Sequence, residues 1–328
     1  MATYKKRQYL LMCLDPVHIG TGGYRLGRVD NSIVREPGTN VPKIPGTSLH
    51  GAARSYSAQL YEHPEAAGQD QKEIKNEPGQ DPICYTFGYI KSVIKDGQKK
   101  EVASSGVINV FDAQILFFPV HSMRGPVWVT TQGRLEEAGF SIDNKTASLD
   151  TATIWVTFDH DSHLNLGWLM LKVAEKVVVE PPEKWKDEKR WLAVKDNIAL
   201  VHESLFSHVV NSNLEVRTSV AINPETGAAE DKALFTYEAL PRTTFLSSEV
   251  VLDNYRAEWP LKGEKQEQTL KGNSLPPGMK WDSPLDVFHA GLKMMEWLGV
   301  GGMGTRGFGR IAVVGDPLDQ KFGDEVRQ

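Results

Sequence analysis

The chain has 328 residues, of which 40% are hydrophobic and 24% are charged, a composition that fits a folded protein and excludes one dominated by disorder. A net charge of −5 excludes a protein that coats nucleic acid by bulk positive charge, although it allows a local basic groove. The two cysteines, Cys13 and Cys84, are too few for a disulfide framework or a zinc site of their own. Because there is no apolar run of 18 residues and no signal peptide, we expect a cytoplasmic protein with no membrane partner.

The first sixty residues predict a strand, a glycine-rich loop and a helix. The apolar stretch from Tyr9 to Leu14 is typical of a strand, and the loop after it contains His18, Gly20 and Gly22. The spacing of apolar residues then predicts a helix from residue 48 to residue 61. The small residues Gly46, Thr47 and Ser48 lie at its start. Glycines let a backbone approach a ligand and a helix N-terminus attracts anions, so this region favours a phosphodiester ligand.

Asp30 is a lone acid in a segment that is otherwise basic. The basic residues around it are Arg25, Arg28, Arg35 and Lys43. An acid in such a segment either neutralises the basic patch or positions a metal ion or a nucleophile. His18 can act as a general base, because imidazole titrates near neutrality, or it can hold its loop by hydrogen bonding. The residues alone leave both choices open.

The middle of the chain predicts alternating strands and helices. Residues 62–104 are polar and predict an irregular insertion. Extended patterns predict strands over 107–118, 127–131, 151–158, 168–179 and 243–251, with a short helix over 134–144 and a longer one over 191–207. From Leu214 to Tyr237 two extended runs flank the turn signal Asn223-Pro224-Glu225-Thr226-Gly227, which predicts a protruding β-hairpin.

The last part of the chain predicts a helix over 283–299, a glycine-rich loop and a final strand over 310–314. The loop contains Gly302, Gly304 and Gly307 in dinucleotide-fingerprint spacing, but that fingerprint must follow a strand and open a helix. Here the order is inverted, so a nucleotide cofactor is excluded. The loop is either merely flexible or a saddle for an RNA strand, with Arg306 and Arg310 on phosphates. The element order lacks a Rossmann rhythm and predicts an α+β fold with an antiparallel sheet.

Two further sets of polar residues have ordinary interpretations. His160-Asp161-Ser162-His163 invites assignment as a metal site, but four donors in a row at a strand end are more typical of a polar turn. Glu101 and Asp112 are typical of solvated faces.

Several ordered segments resemble the backbone subunits of type III CRISPR effector complexes, which belong to the RAMP (repeat-associated mysterious protein) superfamily. The matching segments are Asp15–Gly22, Val29–Glu36, Ile44–Arg54, Phe111–Val120, the hairpin Leu214–Pro241 and the closing Gly301–Arg310. They span nearly the whole chain and are most similar to the Cmr-type (III-B) subunit, with the Csm-type (III-A) subunit next. Asn31-Ser32 and His50 depart from the Cmr-type pattern, which bears on the subtype.

This resemblance implies a single RAMP domain over residues 1–328, with a modified RRM-like (ferredoxin-like) α+β fold, irregular insertions and a thumb hairpin over 214–237. Copies of such subunits stack in a filament along the crRNA, together with other type III subunits. Target single-stranded RNA is cut at regular intervals in a reaction that depends on a divalent metal, Mg²⁺ or Mn²⁺. The resemblance also leaves two alternatives: a non-catalytic structural RNA-binding subunit, and a stand-alone crRNA-processing endoribonuclease, which would use a histidine.

The resemblance further implies the site residues. Asp30 occupies the position of the catalytic aspartate, where it either holds the metal ion or orients the 2′-hydroxyl of the target for transesterification. Glu238 occupies the position of an assisting acid, and His18 lies in the loop near the site. The residues expected to bind RNA are Gly20, Gly22, Arg35, Lys43, Gly46, Thr47, Ser48, Arg54, Gly302, Gly304, Arg306 and Gly307.

Overall fold

A computed structural model describes residues 4–22, 29–68, 78–95, 98–143, 148–160, 162–256, 259–261 and 281–321. The expectations for Arg25, Arg28 and Asp161 therefore lie outside the described residues. In the described part of the chain, no helix is long and apolar enough to cross a membrane.

The strands and helices of the described residues alternate along the chain. The strands are β1 (Tyr4–Cys13), β2 (Lys43–Ile44), β3 (Gly88–Lys95), β4 (Gln98–Ser105), β5 (Ile108–Val110), β6 (Ala113–Ser122), β7 (Gly125–Thr130), β8 (Ser141–Asp143), β9 (Thr153–Val156), β10 (His163–Leu166), β11 (Leu169–Lys176), β12 (Val178–Glu180), β13 (Ile198–Leu200), β14 (Glu215–Ile222), β15 (Ala229–Ala239), β16 (Phe245–Asp253), β17 (Ile311–Val313) and β18 (Leu318–Lys321). The helices are α1 (Gly46–Leu60), α2 (Pro82–Phe87), α3 (Gln132–Glu137), α4 (Lys189–Leu192), α5 (Glu203–Ser212) and α6 (Pro284–Leu298). The predicted α+β class is confirmed.

One large mixed sheet organises the molecule, with the strand order β10-β11-β9-β13-β7-β6-β16-β1-β17. Most neighbours are antiparallel, while β11 with β9 and β13 with β7 are parallel. The first strand, β1, lies between β16 and β17. Successive side chains of a strand point to opposite faces. Tyr9 and Leu11 accordingly pack into one hydrophobic core, while Leu10 packs into a second core that contains Trp185.

Two helices, α1 and α6, pack closely against each other. A side chain at Gly291 would place its Cβ only 2.2 Å from the carbonyl oxygen of Ala53, so glycine is required at this contact. The hydroxyl of Ser57 donates to the carbonyl of Val287 at 2.7 Å. At the end of α6, the hydroxyl of Tyr56 donates to the carbonyl of Gly299 at 2.7 Å. These contacts fix the position at which the C-terminal glycine-rich loop begins.

The predicted irregular insertion over 62–104 is wrong where the structure describes it, since residues 82–87 form α2 and β3 and β4 pair as a hairpin. The carboxylate of Asp81 accepts hydrogen bonds from the backbone N–H groups of Ile83 (2.8 Å) and Cys84 (3.0 Å). Pro82 occupies the first position of the helix, where it costs no hydrogen bond. Asp81-Pro82 is thus a helix start within a polar stretch.

The predicted helix over 191–207 is also wrong. Helix α4 ends at Leu192, residues 198–200 form β13 between β7 and β9, and α5 begins at Glu203. The run from Ile198 to Val201 is completely buried. A short continuous apolar run fits a strand that is covered on both faces as well as it fits a helix, and here the central position in the sheet decides.

Candidate functional site

Four segments that are far apart in the sequence meet at one place on the surface. Isolated bridges join Val17 to Leu240, Gly20 to Ile33 and Asn31 to Tyr237. The glycine-rich loop, which we define as residues 299–309, is attached to the same place. Its residue Gly302 donates a backbone hydrogen bond to the carbonyl of His18 at 3.0 Å, and Gly309 donates one to the carbonyl of Pro16 at 2.9 Å. The structure thus brings His18, Asp30, Glu238 and the glycine-rich loop together.

Asp30 is exposed, and the hairpin strand β15 holds its carboxylate. Its Oδ2 accepts hydrogen bonds from both the backbone N–H and the hydroxyl of Thr236, each at 2.8 Å. The backbone N–H of Asp30 donates to the same hydroxyl at 2.9 Å. The hydrogen bonds from Thr236 lower the pKa of Asp30, because they favour the charged carboxylate. Since these contacts use Oδ2, they leave Oδ1 for a ligand.

Glu238 is buried, and its carboxylate is engaged inside the protein. One guanidinium nitrogen of Arg35 donates to Oε1 at 2.6 Å, and the backbone N–H of Ile33 donates to Oε2 at 3.2 Å. Arg35 also donates to the carbonyl of Ile33 and to the side chain of Asn211, both at 2.9 Å. Glu238 and Arg35 therefore brace the segment that carries Asp30. Arg35 is expected to bind RNA, but in the structure its guanidinium is already hydrogen-bonded to partners within the protein.

His18 is only 7% exposed. Its Nδ1 lies 2.7 Å from the backbone oxygen of Glu238, and its ring meets that of Tyr237 edge to face at 5.7 Å between centroids. Because a carbonyl only accepts hydrogen bonds, Nδ1 carries a proton. The histidine thus holds its loop by hydrogen bonding. A side chain at Gly20 would place its Cβ 3.1 Å from Nε2, so glycine there leaves space beside this second nitrogen.

The glycine-rich loop lies directly on the backbone of His18 and the side chain of Ile19. Gly301 has a φ of +87°, and a Cβ there would come within 2.5 Å of the carbonyl oxygen of His18. Beyond this contact, the exposed glycines present backbone to solvent: they are Gly302, Gly304 and Gly307. Arg306 between them is exposed as well. The loop therefore has the form of an accessible backbone surface beside His18.

The predicted anion site at the start of α1 is partly filled by the protein itself. The backbone N–H of Gly46 donates to the carboxylate of Asp112 at 2.7 Å. Lys43 pairs with the same carboxylate at 2.6 Å and with Glu36 at 2.7 Å. Asp112 is therefore a structural partner and not a solvated face, and Gly46 and Lys43 are engaged without RNA. Thr47 is exposed and can still meet a ligand.

Ser48 and Arg54 are further inside than the sequence suggests. Ser48 is half-buried, and its backbone N–H donates to the carbonyl of Pro45 at 2.9 Å. Two guanidinium nitrogens of Arg54 donate to the carbonyl of Ala66 at 2.9 and 2.7 Å. Burial lowers the pKa of Arg54, which marks a partly desolvated cation. Arg54 thus holds the chain that follows α1. In contrast, Gly20 and Gly22 are exposed as expected for a loop that meets a ligand.

Sequence reasoning missed a cluster of exposed arginines around Asp15, which we call the arginine cluster: Arg217, Arg242 and Arg310. Arg310 pairs with the Asp15 carboxylate, and its hydrogen bond is the main cause that lowers the pKa of Asp15, with the charges of the other two adding to it. Arg242 donates to the carbonyl of Leu14 at 2.7 Å. Arg217 lies 4.8 Å above the ring of Phe308 in the glycine-rich loop. Arg217 also pairs with the carboxylate of Glu215 at 2.5 Å. Two carboxylates thus face three cations, and the surface keeps a net positive charge of one.

No local sequence pattern predicts the arginine cluster, because its members lie in three segments that are far apart along the chain. Arg310 was expected at a phosphate, as the residue directly after the glycine-rich loop. Arg242 directly follows the matching segment that ends at Pro241, which was the available signal for it. Arg217 lies in the hairpin, which the sequence predicts from two extended runs and a turn signal that say nothing about charge.

Strands β14 and β15 form a two-stranded sheet of their own, separate from the large one. Val216 and Val220 are exposed on β14. The side chains of Ile222 and Leu234 are each 61% exposed, and Phe235 is 36% exposed. Apolar side chains in such number on a free hairpin indicate a surface that a partner covers.

In the described part of the chain, no group of three or more histidine, cysteine or acidic side chains could hold a metal ion. The imidazole of His160 lies 3.1 Å from the carbonyl oxygen of His163, as in a polar turn. A metal ion at Asp30 would therefore need most of its ligands from RNA and water.

Comparison with known proteins shows a related sequence and similar folds. The Pyrococcus furiosus protein named CRISPR system Cmr endoribonuclease Cmr4 is 27% identical over 259 residues, which cover 74% of this chain and 80% of that protein. The fold is similar to a chain of the type III-B Cmr-beta complex bound to cognate target RNA, with a TM-score of 0.58, 14% identity and coverage of 94% and 96% of the two chains. It is also similar to oligomeric Cmr4 from Pyrococcus furiosus, with a TM-score of 0.50, 20% identity and coverage of 99% and 100%. Residues 10–312 match the RAMP superfamily, and the chain belongs to that superfamily.

Proposed function

We propose that this protein is a Cmr-type backbone subunit of a type III CRISPR effector complex, which binds crRNA and cleaves complementary single-stranded RNA at regular intervals. The observation that carries the proposal is the exposed carboxylate of Asp30, which is hydrogen-bonded to Thr236 of the hairpin strand β15. The same strand contacts His18, on which the accessible glycine-rich loop lies. The relative from Pyrococcus furiosus, which carries the name of an endoribonuclease, supports it.

The chemistry fits a transesterification by the target's own 2′-hydroxyl, which yields a cyclic phosphate and a 5′-hydroxyl. Such a reaction needs in-line geometry more than a strong nucleophile from the protein. The lowered pKa of Asp30 keeps its carboxylate ionised at neutral pH, so that Oδ1 can accept a hydrogen bond from the 2′-hydroxyl. Glu238, buried and paired with Arg35, acts by positioning the Asp30 segment.

We include a divalent ion, Mg²⁺ or Mn²⁺, in the proposal. A carboxylate oxygen is the kind of ligand that these ions prefer, and Mg²⁺ is commonly bound by one or two carboxylates together with phosphates and water. Asp30 fits this role through Oδ1. When bound, the ion would stabilise negative charge on the scissile phosphate. The side chains around it would then orient the acid and the RNA.

The RNA backbone is proposed to lie across the glycine-rich loop, with phosphates near the arginine cluster and Arg306. Backbone amides and guanidinium groups bind phosphates without reading the base, which suits a subunit that must accept any guide. The apolar hairpin side chains are proposed to meet RNA or the next copy of the chain in a filament, alongside other type III subunits. The exposure of Ile222 and Leu234 supports this.

We further propose that the core is a modified RRM-like fold. In support, β6, β16 and β1 are consecutive antiparallel neighbours in the large sheet. Helices α1 and α6 contribute Leu49, Ala53, Leu285 and Phe288 to the same hydrophobic core as Tyr9 and Leu11 of β1.

The test is cleavage of a complementary RNA by the reconstituted complex that carries Asp30→Asn or Asp30→Ala. We expect cleavage to be lost while RNA affinity stays the same or increases, because a negative charge near phosphate is removed. Asp187→Asn, at an exposed acid between the short helical segments of residues 183–192, is the control and should cleave normally. Normal cleavage by both Asp30 variants would show a purely structural RNA-binding subunit.

A further inference from the structure

Thr236 and Asp30 are joined by three hydrogen bonds. The hydroxyl of Thr236 donates to Oδ2 of the carboxylate at 2.8 Å and accepts from the backbone N–H of Asp30 at 2.9 Å. The backbone N–H of Thr236 donates to Oδ2 at 2.8 Å. Because the hydroxyl is bonded in both directions to one residue, its rotamer and that of the aspartate fix each other. Serine can reproduce this contact and valine cannot.

We propose that Thr236 is a positioning residue for RNA cleavage, which orients the Asp30 carboxylate and attaches it to the hairpin strand β15. This inference rests on the proposed function, in which Asp30 acts on the target RNA. Asp30 is exposed, so packing does not fix the orientation of its side chain. The hydrogen bonds from Thr236 fix it instead.

Backbone hydrogen bonds around this contact attach the segment that carries Asp30 to the hairpin strand β15. The N–H of Asn31 donates to the carbonyl of Thr236 at 3.0 Å, and the N–H of Glu238 donates to the carbonyl of Asn31 at 3.0 Å. The acid's segment is thus hydrogen-bonded alongside β15 over two residues.

Exposed apolar side chains lie next to Thr236 in the same strand. Leu234 and Phe235 directly precede Thr236 in β15. A hairpin that is displaced by RNA or by a neighbouring copy would therefore move the acid, or release it, through Thr236. The contact links engagement of the hairpin to the orientation of Oδ1, whereas a substitution elsewhere in the hairpin would leave that orientation intact.

The chain offers a matched control, because Thr218 on β14 lies directly opposite Thr236 in the register of the hairpin and is exposed. The experiment compares Thr236→Val, Thr236→Ser and Thr218→Val in the reconstituted complex. Single-turnover cleavage at saturating complex, target RNA affinity and the circular dichroism spectrum of each variant are measured. Asp30→Ala is assayed beside them.

We expect Thr236→Val to slow cleavage by between about tenfold and a hundredfold, the range typical of a misoriented catalytic group, with unchanged RNA affinity. Thr236→Ser should stay within about twofold of the wild type, as should Thr218→Val, because both keep the hydroxyl that contacts Asp30.

Wild-type cleavage by Thr236→Val would overturn the proposal, as would equal losses in the serine and valine variants or a loss explained by weaker RNA binding. If Thr236→Val misfolds, the serine variant decides: a well-folded Thr236→Ser that cleaves slowly overturns the role of the hydroxyl, and normal cleavage supports it. The proposed function fails separately, if Asp30→Ala still cleaves.

Discussion

Glu238 and Arg35 form an ion pair of 2.6 Å in which both side chains are largely buried, with 10% and 17% of their surfaces exposed. Removing one partner leaves the other charge buried and uncompensated. We predict that Arg35→Ala lowers the free energy of unfolding by about 3 kcal/mol, measured by urea denaturation. Cleavage should fall as well, because the segment with Asp30 loses its brace.

Arg190 provides the control for this prediction. It pairs with Glu296 at 2.7 Å, but each side chain is 33% exposed. Arg190→Ala should therefore cost no more than about 1 kcal/mol. Equal costs for the two substitutions would contradict a special structural role for the Arg35 pair.

Arg217 and Arg242 of the arginine cluster, together with the exposed Arg306 of the glycine-rich loop, predict a strong dependence of RNA binding on salt. The triple variant Arg217→Ala, Arg242→Ala, Arg306→Ala should bind all guide sequences more weakly and reduce the slope of log affinity against log salt by roughly three, about one for each lost phosphate contact. The measurement is a binding titration at several salt concentrations with two unrelated guides.

Arg54→Ala is the matched control, since its guanidinium contacts the carbonyl of Ala66. It should leave the salt slope unchanged and lower stability instead. If affinity for one guide fell and affinity for the other did not, the side chains would be reading bases and not the backbone.

The exposed hairpin side chains predict a variant that folds normally and assembles or cuts abnormally. Ile222→Ser with Leu234→Ser should change the free energy of unfolding of the isolated protein by less than about 1 kcal/mol, because both side chains are exposed. In the complex, the regular ladder of cleavage products should be lost. Met123→Ser, at a side chain 60% exposed elsewhere, should keep the ladder. An unaltered ladder in the double variant would argue against a covered hairpin.

His289 predicts a loss of stability in acid. Burial lowers the pKa of His289 to about 4, with the charges of Lys293 and Arg7 adding to this effect and those of Asp286 and Asp316 opposing it. The unfolded chain binds a proton near the ordinary value of 6.5, so stability is present above that pH and is lost as the pH falls towards 4.

His289→Phe, which keeps an aromatic ring against Tyr9, should remove roughly 2 kcal/mol of this loss between pH 7 and pH 4. Urea denaturation at several pH values measures it. The same change at the exposed His163 should leave the pH dependence as in the wild type. A parallel pH dependence in His289→Phe and the wild type would show that another group is responsible.

The sequence predicted the elements whose local pattern and tertiary role agree. The sequence places Ser283 at the N-cap position, a proline at the first helical position and one apolar face, and the helix forms from Pro284 to Leu298. The helix predicted over Ile198-Ala199-Leu200 is wrong, because periodicity cannot distinguish a buried strand from a buried helix.

At the candidate site, the resemblance indicated that residues near His18, Asp30 and Glu238 would meet. It could not show which cations are free. Lys43 and Gly46 are engaged by Asp112, and Arg54 by Ala66, through contacts that depend on the folded arrangement. Local sequence shows a charge but not its partner.

The attachment of the glycine-rich loop to Pro16 and His18 has a consequence for biosynthesis. The site needs residues 16–20, the hairpin strand β15 and Gly309, and β1 itself pairs with β17 at residues 311–313. The ribosome synthesises these segments from the N-terminus onwards. The contacts of residues 16–18 and of β1 with residues 302–313 can therefore form only once residues 302–313 have been made. Contacts of such long sequence separation form slowly. A nascent polypeptide therefore completes the candidate site only after translation has passed residue 313.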